Sequence, residues 1–183
     1  AMLESMRAYG YTLQTAVADL IDNSISAGAR NIWVNLSWKG KDSSILIKDD
    51  GSGMSQDELS DAMRLGSKSP TLHRDETDLG RFGLGLKTAS LSQGRRLTVA
   101  SIKDGNSAVR RWDLDYLASE EYLRETGGNS WRLLTTWAEE TSAEIEEFLG
   151  KCSNGTLVVI ELLDRLFGNV DKSLDWNDAA ASK

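Results

Sequence analysis

The chain has 183 residues, 40% of them hydrophobic and 27% charged, with a formal net charge of −7 at pH 7. This length and balance suit one globular domain with a sizeable core, and they exclude a disordered or fibrous chain. The negative charge argues against a domain that grips nucleic acid over its whole surface, because such binding rests on Lys and Arg neutralising phosphates.

No apolar run approaches the length of a membrane span, and the first residues lack the basic and apolar pattern of a secretory signal. The single Cys152 rules out an internal disulfide and suits a reducing compartment, so a cytoplasmic protein without membrane partners is expected. The arginine pairs Arg95-Arg96 and Arg110-Arg111 read as solvated charges at strand ends.

In chain order, Thr12 is placed to cap a helix with Leu13, Ala16, Val17, Leu20 and Ile21 on its apolar face and Gly28 as its terminator. Ile32, Val34, Leu36 and Trp38 alternate with other residues as a strand, Gly40 to Ser43 turns, and Ile45 to Ile47 returns as a more buried strand. After the loop Asp49-Asp50-Gly51-Ser52-Gly53-Met54, Ser55 and Glu58 form a capping-box signature for a short helix through Leu59 and Met63. Periodicity vanishes from Gly66 to Gly85, and structureless segments of this length within a compact domain are usually functional, such as lids.

A helix is expected over about Leu86 to Ser92. Strands are expected at Leu97 to Ile102, Ala108 to Leu114, Trp131 to Trp137 and Leu157 to Ile160, with a helix over Thr141 to Leu149 capped by Thr141 and Glu144. Helices interleaved with a mostly antiparallel sheet predict an α/β (α+β) fold, a two-layer sandwich with helices on one face. The domain is expected over residues 1–168, with 169–183 a loose tail or the start of a linker to a downstream domain.

Three constellations carry chemistry. Asp19 and Asn23 stand four residues apart on a helix, so they share a face about 6 Å apart along the axis. A carboxylate and an amide oxygen so placed can hold a water and a divalent cation side by side, as phosphoanhydride hydrolysis requires. Asp49 sits at a strand end before Gly51 and Gly53, where it can accept a hydrogen bond from an exocyclic amine. Alone, such an Asp-Gly loop is more often a plain turn. An EF-hand is excluded, since neither register places Glu at the twelfth position. Gly80-Arg81-Phe82-Gly83-Leu84-Gly85 precedes a helix containing Lys87, an anion cradle by construction whose spacing is neither that of a dinucleotide-binding fingerprint nor that of a P-loop.

The order of these motifs, closed by Gly155-Thr156 before the last strand, resembles the GHKL ATPase superfamily, which groups gyrase B subunits, heat-shock chaperones, histidine kinases and MutL. The resemblance spans about residues 12 to 162 and implies a Bergerat-type ATP-binding fold. It implies ATP and Mg²⁺ as cofactors, with Asn23 on the metal, Asp49 on the adenine amino group and Thr156 supporting the same edge. Ala27 and Met54 would line the base pocket, Gly51 and Gly53 would let the backbone bend and approach the ligand, and Gly80, Gly83, Leu84 and Gly85 would wrap the phosphates as a lid closes. Lys68 and Lys87 are further candidates for phosphate contact.

Asp19 would be the catalytic base, where hydrolysing members usually carry Glu. The missing methylene shortens its reach by about 1.5 Å, which implies slow hydrolysis to ADP and phosphate. The alternatives are a non-hydrolysing regulatory module and a histidine-kinase domain, although the only histidine, His73, lies in the lid segment. The segments Asp22-Asn23-Ser24, Ala27-Gly28-Ala29 and Gly83 to Lys87 look closest to the MutL, MORC and chaperone side. Such relatives imply an ATP-dependent homodimer in a longer protein, while a nucleic-acid or protein client is not specified by these residues.

Overall fold

The computed structural model describes Arg7 and residues 11–64, 85–127 and 132–165. Helix α1 (Leu13–Ser26) begins where expected: the Thr12 hydroxyl accepts the Thr15 N–H at 3.2 Å. It ends at Ala27, followed by Gly28 at φ +73°, the left-handed position that glycine adopts without strain. Ala16, Leu20 and Ser24 form its buried stripe, four residues apart.

Strands β1 (Ile32–Ser37) and β2 (Ser44–Asp49) pair antiparallel, with Ile32 opposite Asp49 and Leu36 opposite Ile45. The alternation in β1 is that of a strand, yet Val34 and Leu36 are 44% and 52% exposed. The reason is position: β1 is the edge of the sheet, so packed neighbours reach only its inner flank.

Helix α2 (Gln56–Met63) carries the full capping box, with the Glu58 N–H on the Ser55 hydroxyl and the Ser55 N–H on the Glu58 carboxylate. Helix α3 (Gly85–Gln93) follows, buried from Lys87 to Gln93. Strands β3 (Arg96–Lys103) and β4 (Asn106–Asp113) form a hairpin whose turn residues, Asp104 and Gly105, both have positive φ, the twist-matched geometry for a two-residue connection.

Two short helices that the sequence pattern does not reveal come next, α4 (Leu114–Leu117) and α5 (Glu120–Thr126), capped by the side chains of Asp113 and Ser119. The strand expected over Trp131 to Trp137 is reduced, in its described part, to a single bridge between Arg111 and Leu134. Helix α6 (Ser142–Lys151) also starts differently from expectation. Thr141 makes no capping bond and instead ends a 3₁₀ turn over Glu139–Thr141 that feeds the helix.

Strand β5 (Gly155–Glu161) inserts centrally, giving the order β1-β2-β5-β3-β4, antiparallel throughout. One face packs Ile45, Ile47, Val99, Val158 and Ile160 against Ala16, Leu20, Leu59, Met63 and Leu91 of α1, α2 and α3. This is the expected α/β sandwich, with one addition. Ile145 and Phe148 of α6 cover Leu46, Ala100, Leu157 and Val159 on the opposite face, so the helices are not confined to one side.

The arginine pairs are not simply solvated. Arg96 bonds Asp113 at 2.8 Å and lies within 3.4 Å of Glu161, its cross-strand neighbours, while Arg110 is buried and donates to Ser60 and to the Val109 carbonyl. Facing carboxylates across the strands draw the Arg96 guanidinium inward. Burial pushes the Glu161 carboxyl up from its ordinary range, against the opposing pull of Arg96. Arg7, nearly fully buried, grips Asp164 through both carboxylate oxygens and so ties the start of the chain to the segment after β5.

Candidate functional site

Alternation along β2 puts Ile45, Ile47 and Asp49 on the face that α1 covers, which delivers a carboxylate to the end of a buried apolar row. Asp49 is only 5% exposed. Its Oδ1 accepts the N–H groups of Gly51 at 2.9 Å and Thr156 at 3.2 Å, and its Oδ2 accepts the Ser24 hydroxyl at 2.9 Å. Three donors from α1, the following loop and β5 thus fix the orientation of one side chain. Asp50, one residue on, is a staple for the start of β1: it accepts the N–H groups of Arg30 and Asn31 and the Asn31 amide. Those bonds, Asn31 foremost, hold its carboxyl below the usual range.

The loop after Asp49 is pressed into place. Ser52 donates to the Ala27 carbonyl at 2.9 Å, and a Cβ on Gly51 would lie 2.9 Å from that same oxygen. Gly53 has φ +66°, and a Cβ there would run into the Ile102 carbonyl. Met54 donates its N–H to the Ser101 hydroxyl at 2.8 Å. Ala27, Asp49, Gly51, Gly53, Met54 and Thr156, singled out separately in the sequence, therefore form one connected cluster.

On α1, Asn23 is exposed and Asp19 half-buried, one turn apart beside the buried stripe. The Tyr11 phenol donates to Asp19 Oδ2 at 2.9 Å, and that bond raises the Tyr11 pKa from its ordinary value. The structure thus sets a fixed, buried carboxylate at the end of β2 beside a helix that carries a carboxylate and an amide one turn apart.

Residues 11–143 match the family described as Histidine kinase-, DNA gyrase B-, and HSP90-like ATPase. The chain belongs to that family. It is similar to the ATPase morc-1 of Caenorhabditis elegans, 31% identical over 91 residues, which is 50% of this chain and 10% of that protein. Protein MICRORCHIDIA 4 and Protein MICRORCHIDIA 7 of Arabidopsis thaliana are 32% and 31% identical over 120 residues, covering 61% of the chain and 14% and 16% of those proteins. The matched region is thus a small part of each relative's length.

Within this ATPase-family domain, one expected phosphate contact, Lys87, is engaged inside the fold. Gly85 opens α3, but the Lys87 ammonium turns inward. It is 1% exposed and donates to the carbonyls of Ala62 at 2.6 Å and Arg64 at 2.9 Å, closing the C-terminal end of α2. Lys68, Gly80, Gly83 and Leu84, with the remainder of the expected lid up to Leu84, lie outside the described residues.

Three participants escaped the sequence reading: Ser24, Tyr11 and Ser101. Ser101 carried a usable signal, a hydroxyl inside the apolar run Val99 to Ile102, since a buried polar group requires partners. Among the described residues no group of three or more His, Cys, Asp or Glu side chains converges as a metal site, and no helix is long and apolar enough to cross a membrane.

Proposed function

We propose that this domain binds Mg-ATP and, in a longer protein, hydrolyses it slowly, with the segment Gly66 to Gly85 closing over the phosphates and nucleotide promoting pairing with a second copy. The observation that carries this reading is Asp49, held by three donors yet with acceptor capacity left on Oδ2. An exocyclic amino group is the ligand feature that matches a fixed, buried acceptor.

The residues fit the magnesium nucleotide. Mg²⁺ bound to a nucleotide takes few protein ligands and keeps water and phosphate oxygens, so the single exposed amide oxygen of Asn23 is sufficient protein chemistry. When bound, the ion neutralises charge on the phosphate oxygens. Asn23 would orient it, Asp49 and Thr156 would hold the base edge, and Asp19 would accept the proton of the attacking water. A general base works within about 3 Å of its proton donor, or through one water. Asp reaches less far than Glu would, which supports a slow rate.

A second reading, a module that binds nucleotide without turnover, draws on the Tyr11 bond. It occupies part of the Asp19 carboxylate and fixes its direction within the chain. Phosphate release by the longer protein separates the two readings. Under the hydrolytic reading, Asp19→Asn abolishes release and leaves ATP affinity intact. Release that is no higher in the wild type than in Asp19→Asn would leave the binding module. Calorimetric titration of the 183-residue chain with Mg-ATP tests binding itself, and a flat titration would refute both.

A further inference from the structure

Ser101, fully buried on β3, contacts three polar groups through one hydroxyl. Met54 N–H lies at 2.8 Å, the Gly155 carbonyl at 3.0 Å and Thr156 Oγ1 at 2.9 Å. A hydroxyl has one proton and two lone pairs. Met54 N–H can only donate and the Gly155 carbonyl can only accept. The Ser101 proton therefore goes to Gly155, one lone pair takes Met54, and the contact with Thr156 has to be supplied by the Thr156 proton.

Register completes the picture. Ser101, Thr156 and Asp49 are direct cross-strand partners in one row on the same face of the sheet, and all three are buried. With its proton turned toward Ser101, Thr156 shows the site only lone pairs, beside a carboxylate that shows only lone pairs.

We infer that Ser101 is a positioning residue for base specificity: by fixing the direction of the Thr156 hydroxyl, it makes the base-reading edge acceptor-only and selects 6-amino purine nucleotides over 6-oxo ones. The inference rests on the nucleotide reading proposed above. A 6-amino group meets acceptors with donors. A 6-oxo group sets oxygen against oxygen at that position, which is how polar sites reject a near-isostere.

Mg-ATP and Mg-ITP, which differ at that edge, are titrated calorimetrically into the 183-residue chain. The wild type binds ATP more tightly than ITP. Ser101→Ala frees the Thr156 proton to donate to the 6-oxo group, and the ATP-to-ITP affinity ratio narrows about fivefold, the scale of one hydrogen bond. Thr156→Val, which does not depend on Ser101→Ala folding, narrows the ratio as well, because it removes an acceptor facing the oxo group. In the Thr156→Val background Ser101→Ala changes the ratio no further.

A ratio that widens in Thr156→Val shows Thr156 donating and overturns the inference. Equal weakening of both nucleotides in Ser101→Ala reduces Ser101 to a packing role and overturns it too. Failure of the wild type to bind either nucleotide overturns the nucleotide reading and this inference together, whereas ATP binding with an unaltered ratio overturns this inference alone.

Discussion

Replacing Asp49 by Asn isolates recognition from stability, because the structure shows how the protein's own bonds survive. The amide oxygen can keep the N–H groups of Gly51 and Thr156, which both bond Oδ1. The amide NH₂ then stands where Oδ2 was. Ser24 can accept from it and turn its own proton to the Leu20 carbonyl, already 3.3 Å away. With every partner satisfied, the stability change stays within about 1 kcal/mol. The ligand edge fares worse, since the remaining acceptor becomes an N–H aimed at an amine. A hydrogen bond to a charged group contributes about 1.5–3 kcal/mol, so Mg-ATP affinity should fall about tenfold to 150-fold. Calorimetric titration, paired with a thermal melt of each variant, measures both quantities. Asp50→Asn is the control and should leave affinity unchanged, because Asp50 holds the start of β1 and not the ligand edge. An Asp49→Asn protein that melts normally and binds Mg-ATP within twofold of wild type would refute the assignment of the base edge.

Gly53→Ala should destabilise the fold by about 3 kcal/mol or more in denaturant titration, since a side chain at φ +66° is strained and its Cβ meets the backbone of β3. Lys87→Met should cost about 2 kcal/mol and raise amide exchange at the end of α2, whose carbonyls lose a charged donor; unchanged exchange there would contradict the role. Lys103 and the Ser55 N–H hold the Glu58 carboxyl at about 2, below the ordinary 4.5 of a free glutamate. Between those values the unfolded chain binds more protons, so this contribution is fully present above pH 4.5 and is lost as pH falls through about 2. Glu58 is half-exposed, so solvent screening limits the effect to about 0.5 kcal/mol. Glu58→Gln should therefore flatten the stability curve slightly between pH 4.5 and pH 3, and an identical slope in both proteins would count against the linkage.

Features set by local chemistry were legible. The Thr12 cap, the Gly28 terminator and the Ser55-Glu58 box each need only neighbours in sequence, and each stands where the pattern puts it. Features set by a remote partner were not. Alternation in β1 identifies a strand but not an edge, which depends on what pairs with it, so the exposure of Val34 and Leu36 could not be read. Arg96 looks solvated until the register brings Asp113 and Glu161 opposite it. Lys87 stands in a glycine-rich context that suggests phosphate, and its ammonium donates to carbonyls more than twenty residues earlier.

The candidate site divides along the same line. Asp49 was legible from sequence as the carboxylate that closes a strand before two glycines, and parity along β2 then sets it with Ile45 and Ile47 on the face that α1 covers. What Asp49 is able to recognise depends on proton directions around it, and those depend on cross-strand register between β2, β5 and β3. Shifting β3 by one residue would turn Ser101 to the α6 face and release the Thr156 hydroxyl. The Ser101 hydroxyl bonds both Met54 in the loop and Gly155 in β5, so the contacts that hold this register also orient Thr156. On the specificity inferred above, folding of the hairpin into register and selection of the base become one physical event, carried by three strands and not by the Asp-Gly loop alone.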